Sequence, residues 1–307
     1  MGSAQTIGQA GIVKKIKRIM PSKEVFWGYV FVSPIIIGFL VFTLIPVIAS
    51  LYLSLTEYDA ISAPKFIGFQ NYLELFKDVD FKNSLLHTVY FTVGSVPIGT
   101  CLALMVAVGL NAKLRFATLF RIAYFLPVVT SMVAVAQVWK WLYNSDYGLI
   151  NSVLQQLHLY QPPWLASEYW AMLSIIIMSI WKGIGFNMVI FLAGLQGISP
   201  SLYEAAVIDG ASGVQRFFKI TIPMLRHTTF FVLVMSIIGS FQVFDQVYIM
   251  TGGGPANSTQ VVVYWIYQNA FQFFRQGYAS AMAYVLFAII FIITLIQMKI
   301  TQSKDVT

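Results

Sequence analysis

The sequence predicts an all-α integral membrane protein with six transmembrane helices, N-terminus and C-terminus inside, and three observations carry that prediction. First, only 10% of its 307 residues are charged while 58% are hydrophobic. A soluble chain is about a quarter charged, so this one has too few charges to solvate its own surface, and its mean hydropathy is +0.75. Second, apolar stretches of the length needed to cross a hydrocarbon core about 30 Å thick recur along the chain. Third, Lys and Arg are distributed unevenly between alternate connecting segments, which is the signature of a fixed membrane orientation. The single cysteine, Cys101, excludes an internal disulfide framework and a cysteine-rich zinc site.

In chain order, the apolar stretches poor in Asp, Glu, Lys and Arg are residues 27–56, 84–110, 119–142, 170–195, 227–250 and 278–298. Pro34, Pro46, Pro97, Pro127, Gly183 and Gly185 punctuate them, which membrane helices tolerate when neighbours satisfy the freed backbone groups. Residues 1–26 then form an inside N-terminal segment, 27–300 the membrane domain and 301–307 an inside tail. The basic start Lys14-Lys15-Ile16-Lys17-Arg18 resembles the opening of a signal peptide. The apolar stretch behind it is far longer than the 7–15 residues of a signal core, so the first helix is expected to be retained.

Orientation follows from the loops. With the N-terminus inside, the inside segments hold Lys14, Lys15, Lys17, Arg18 and Lys23, then Lys113, Arg115 and Arg121, then Arg216, Lys219 and Arg226, then Lys299 and Lys304. The outside segments hold Lys65, Lys77, Lys82 and Arg275, with Lys140 and Lys182 in or near helices, among the acids Glu57, Asp59, Glu74, Asp78, Asp80, Asp146 and Glu168. The positive-inside rule therefore selects N-in, C-in. The inside loops account for the net charge of +7, so nothing is left over to suggest nucleic acid.

The inside segment 197–226 is long for a helix connection, and long structured loops are usually functional. Ser199 can cap a helix with Pro200 at its first position, or Ser201 and Glu204 can form a Ser-x-x-Glu capping box. Ala205 and Ala206 extend the helix, and Gly210 stands where a left-handed residue ends it. Ser212 can cap a second helix through Val214, Phe217, Phe218 and Ile220, which Pro223 separates from the fifth span.

Glu204-Ala205-Ala206, three residues, Gly210, nine residues, then Ile220-Thr221-Ile222-Pro223 resembles the EAA motif of permease subunits in binding-protein-dependent ABC importers. The departure is Ile222 where Leu is usual. Phe66-Ile67-Gly68-Phe69-Gln70-Asn71-Tyr72, Trp181-Lys182-Gly183-Ile184-Gly185-Phe186-Asn187 and Thr251-Gly252-Gly253-Gly254-Pro255 are similar to the sugar-uptake branch, of the maltose and glycerol-3-phosphate type in its shorter six-helix form. The resemblance implies a multi-pass subunit of a bacterial or archaeal cell membrane, not itself an enzyme. Its implied partners are a second homologous permease, two ATP-binding subunits that hold ATP and Mg, and an extracytoplasmic sugar-binding protein, with no cofactor on this chain. It further implies that Glu204, Ala205, Ala206, Asp209, Gly210, Ile220 and Pro223 couple the membrane helices to the ATPase.

Within the spans, ionisable groups are costly and usually face the bundle interior. Lys182 lies in helix four and Asp245 in helix five; Gly239, Gln242, Asp245, Gln246 and Ile249 recur at helical spacing as one polar stripe. Trp181, Lys182 and Asn187 add an aromatic face and hydrogen-bond donors on helix four, the chemistry that holds sugars. Trp181, Lys182, Asn187, Gln242, Asp245 and Gln246 are thus the expected pathway residues. Against this stands a structural reading in which Lys182 and Asp245 form an ion pair and Trp181 packs between helices. The sequence contains no G-x-x-x-x-G-K-[ST] phosphate loop and no H-E-x-x-H, C-x-x-C or G-x-S-x-G. His87, His158 and His227 are far apart and read as boundary residues rather than metal ligands. An ion-coupled secondary transporter and a membrane-embedded enzyme are the alternatives, disfavoured by the inside loop and by the absence of paired catalytic groups.

Overall fold

Apolar helices dominate the computed structural model, which describes residues 23–112 and 115–302. Lys14, Lys15, Lys17, Arg18, Lys113 and Lys304 of the charge argument lie outside the described residues, as do most of the 1–26 and 301–307 segments. The chain divides between Leu53 and Ser54 into two compact units. The first contains α1, Lys23–Ser54, up to its last residue; a π-helical stretch, Leu40–Leu44, interrupts it just before Pro46.

The second unit opens on a two-stranded antiparallel hairpin, β1 (Thr56–Glu57) and β2 (Lys65–Phe66), with Thr56 opposite Phe66 and Glu57 opposite Lys65. It continues through α2 (Gln70–Leu75), α3 (Val79–Asn111), α4 (Ala117–Val129), α5 (Met132–Leu142), α6 (Leu149–Gln156) and α7 (Glu168–Gln196). Then come α8 (Pro200–Ile208), α9 (Gly213–Met224), α10 (Arg226–Phe241), α11 (Asp245–Met250), α12 (Val262–Tyr267) and α13 (Gln276–Gln302). Among the described residues, α1, α3, α7 and α13 are continuous helices long and apolar enough to cross a membrane. Two bent pairs meet the same test, α4 with α5, bent by 99°, and α9 with α10, bent by 66°.

Two expected spans differ from straight helices. The stretch 119–142 turns sharply after Pro127, whose ring removes a backbone donor; Thr130 is extended and α5 restarts at Met132. The stretch 227–250 is not one helix either. It ends at Phe241 and restarts at Asp245 through Phe244, held at φ −145°, ψ −62°. The Phe244 ring stacks on Tyr248 at 5.4 Å and meets Tyr267 at 5.3 Å, so packing against a later segment overrides local helix propensity.

The unit is built around α3 lying along α7, with α10 against both. Ala103, Ala107, Met188, Phe191, Leu195 and Val232 form a core at one end of this trio. Phe91, Ile175, Met178, Val243, Val247 and Val261 form another at the opposite end. The close approach of α4 to α7 depends on Gly185: a β-carbon there would lie 2.0 Å from the backbone oxygen of Tyr124, which cannot move aside.

On the outside of the sequence-based topology, Asn71 donates from Nδ2 to the carbonyls of Ser54 and Thr56, both at 2.9 Å, pinning the hairpin to α2. Asp78 caps α3, accepting from the Phe81 N–H at 3.1 Å, and its other oxygen accepts from Tyr278 Oη at 2.6 Å and Trp265 Nε1 at 3.3 Å. Burial would push this carboxyl up, but the bonds from Tyr278, Phe81 and Trp265 outweigh it and hold the group below the usual carboxylate range. Beside it Arg275 pairs with Glu74 and stacks over the Tyr278 ring at 4.4 Å.

Two predictions follow from this packing. Asp78→Ala removes a helix cap and the acceptor of two ring donors, and is expected to lower stability by about 1–3 kcal/mol. Because the folded pKa is depressed, the contribution is present above the ordinary carboxylate range and is lost as pH falls through the folded value. Thermal melting in detergent at neutral and acid pH should show a wild-type acid limb that Asp78→Asn flattens. Gly185→Ala is expected to cost more, lowering both membrane abundance and melting temperature, because the clash is with backbone.

Candidate functional site

Between the two cores, where α3, α7 and α10 face one another beside the α4–α5 bend, the helices leave a cavity of about 360 Å³. It lies at the middle of α7: Lys182 is the central residue of that 29-residue helix, with roughly 21 Å of helix on either side at 1.5 Å per residue. Small residues open it. Gly183 and Gly239 line the space, and a β-carbon on either would meet nothing within 4 Å.

Lys182 extends from α7 to the bend, donating from Nζ to the carbonyls of Pro127 at 2.7 Å and Thr130 at 2.8 Å. These carbonyls lie at the C-terminal end of α4, where helical acceptors lose their partners and the dipole is negative. Asn187 donates from Nδ2 to Ser236 Oγ across to α10, at 3.3 Å, and Gln246 from Nε2 to Ser179 Oγ across from α11, at 3.4 Å. Each of these three expected pathway residues lines the cavity and bridges two of its walls.

The other three do not line it. Trp181 points its ring at Trp139, 5.4 Å away, within a chain of rings through Tyr143 and Trp164. Gln242 and Asp245 are exposed and flank the break between α10 and α11. The continuous polar stripe expected from Gly239 to Ile249 is therefore divided, because the helix that would carry it stops at Phe241. Nor is the Lys182–Asp245 pair formed: the ammonium donates to two backbone carbonyls instead. Sequence reasoning passed over Phe91, Phe186, Ser95, Ser236 and Ser240, which also line the cavity. Ser236, Gly239 and Ser240 share one face at three- and four-residue steps, and that spacing was the available signal.

The 197–226 loop is a compact helical pair. Ser199 stands at the N-cap of α8 with Pro200 in its first turn, while the Ser201–Glu204 capping box does not form. Gly210 has φ +75°, and the Ala211 N–H bonds the Ala206 carbonyl at 2.8 Å while the Gly210 N–H bonds that of Val207 at 3.0 Å. This is a Schellman end, which requires the left-handed glycine. Ser212 caps α9 in a box with Gln215. Tyr203 Oη and Thr221 Oγ1 meet at 2.9 Å and lock α8 to α9. Glu204, Ala205, Asp209, Gly210 and Pro223 are exposed, and Ala206 and Ile220 half-buried. Exposed Val207 and Ile208 add an apolar edge to α8.

Comparison with known proteins agrees with this architecture. Residues 85–304 match the family described as "Binding-protein-dependent transport system inner membrane component". The chain is 42% identical to the probable ABC transporter permease protein YesP of Bacillus subtilis (strain 168), over 94% of each. It is 40% identical to the lactose transport system permease protein LacF of Rhizobium radiobacter, over 88% of this chain and 92% of that one. It superposes with a TM-score of 0.80 and 25% identity on a chain of a bacterial alginate ABC transporter solved in complex with an alginate pentasaccharide-bound periplasmic protein, covering 92% of this chain and 94% of that one. The chain therefore belongs to the family of binding-protein-dependent transport system inner membrane components, as a multi-pass permease subunit that has no ATPase site of its own.

Proposed function

We propose that this chain forms half of the passage of an ATP-driven carbohydrate importer, with the mid-span cavity as the place where cargo crosses. The observation that carries this reading is the cavity itself. Its walls combine hydroxyl and amide groups at Ser179, Ser236, Asn187 and Gln246 with the ring faces of Phe91 and Phe186, a pairing suited to sugar hydroxyls and C–H surfaces. The carbohydrate class is supported by the lactose permease among its relatives and by the alginate transporter it superposes on.

The chain crosses the membrane six times in this reading, with both termini inside: α1, α3, α7 and α13 cross once each, α4 with α5 makes the third crossing, and α10 with α11 makes the fifth. α10 alone spans 16 residues, roughly 24 Å, which falls short of a core about 30 Å thick, so α11 completes the fifth crossing beyond the break. The Arg275–Glu74 pair supports a common outside level for α2 and the start of α13. A second, related permease supplies the other half of the passage. An extracytoplasmic sugar-binding protein delivers cargo, as the periplasmic protein in the alginate complex suggests, and two ATP-binding subunits hold ATP and Mg.

The loop 197–226 couples those subunits to the passage. α8 presents Glu204, Ala205 and Ala206 with Asp209 and Gly210 at its end, and α9 carries Ile220 and Pro223 toward α10. The Tyr203–Thr221 bond makes the pair rigid, so a push on α8 is transmitted through α9 to α10, which lines the cavity.

Three substitutions test the two halves of this reading. Gly210→Pro cannot adopt the left-handed backbone, and Glu204→Lys reverses the exposed charge; each is expected to lower cargo-stimulated ATP hydrolysis by about tenfold while membrane insertion is retained. Unchanged uptake in both variants would end the coupling assignment. Gly183→Leu fills open space rather than striking a neighbour, so it is expected to abolish uptake with assembly intact; normal uptake would remove the cavity from the pathway.

A further inference from the structure

We infer that the cargo is an acidic sugar, and that Lys182 is the residue that selects its carboxylate. The inference rests on the carbohydrate reading and goes beyond it to the charge of the cargo. Among the residues that line the cavity, Lys182 is the one formal charge, and none is Asp or Glu. The remaining polar groups, Ser95, Ser179, Asn187, Ser236, Ser240 and Gln246, are all neutral. An ammonium held near the middle of a membrane domain is costly unless its charge is met.

Two carbonyls meet part of it. An ammonium carries three N–H donors, and those to Pro127 and Thr130 account for two. The third has no acceptor among the described residues, Lys182 lines the cavity, and the carbonyls hold Nζ in place without neutralising it. A carboxylate oxygen on a pyranose ring completes the donor set and cancels the charge, forming the stronger, charge-assisted kind of hydrogen bond. A single ammonium matches a singly charged group; a phosphate dianion would leave a negative charge uncompensated in the same cavity. Asn187 and Gln246 stand on either side of Lys182 along the cavity wall, each held by one serine hydroxyl, and leave amide capacity for the neighbouring hydroxyls of the same sugar.

The test is ATP-driven uptake into proteoliposomes holding the whole importer, with its second permease, ATPase subunits and binding protein. The probes are oligogalacturonides and oligomannuronides, their carboxyl-reduced counterparts, lactose and arabinooligosaccharides. Uronide uptake at least about tenfold above that of the reduced counterpart, lost by about tenfold in Lys182→Gln and restored in Lys182→Arg, is the expected result. Where Lys182→Gln fails to assemble, the comparison of uronide with reduced sugar in the wild type decides. Uptake of neutral sugars in preference to uronides, or an equal loss of both in Lys182→Gln, overturns the acidic-cargo inference and leaves the sugar importer standing. If no sugar of either kind is taken up while ATP hydrolysis proceeds, the carbohydrate reading falls and this inference falls with it.

Discussion

A bend in an apolar helix strands backbone carbonyls that must find other donors, and this requirement governs the structure around α4 and α5. The 99° turn after Pro127 strands the acceptors at the end of α4. Thr130 Oγ1 returns to the Pro127 carbonyl at 2.6 Å, and Lys182 Nζ reaches the carbonyls of Pro127 and Thr130 from α7. One ammonium thus closes the bend and ties it to α7. It also places a charge beside the cavity.

The tie would be useless without close contact between the same helices. Gly185 brings α7 against the Tyr124 backbone, three residues from Lys182 and on the neighbouring turn. Gly183, between them in the sequence, leaves the cavity open. The short run from Trp181 to Asn187 therefore serves several purposes on different faces of one helix: ring packing at Trp181, closure of the bend at Lys182, space at Gly183, contact at Gly185 and a bridge to α10 at Asn187.

Much of this was legible in the sequence, because the bilayer imposes length and apolarity on any crossing and charge asymmetry on the loops. The glycine and proline punctuation of the 197–226 segment announced α8, the left-handed Gly210 and the cap at Ser212, since these are local backbone requirements. Lys182, Asn187 and Gln246 were legible as polar groups in apolar helices. The break between α10 and α11 was not. No proline or glycine marks Gln242-Val243-Phe244, and the break goes with ring packing of Phe244 against Tyr267, a contact between distant parts of the chain. Gln242 and Asp245 flank that break and do not line the cavity. The Tyr203–Thr221 lock was equally invisible, since nothing local pairs those residues.

The central claim is that cargo crosses through the mid-span cavity. Its most direct test is a structure of the complete importer arrested with cargo aboard by an ATPase-inactivating substitution in the partner subunit. The account predicts sugar density against Asn187, Ser236 and Gln246, within hydrogen-bond reach of Lys182, with α8 seated on an ATPase subunit. Cargo density elsewhere in the membrane domain, with this cavity closed by its own side chains, would contradict it.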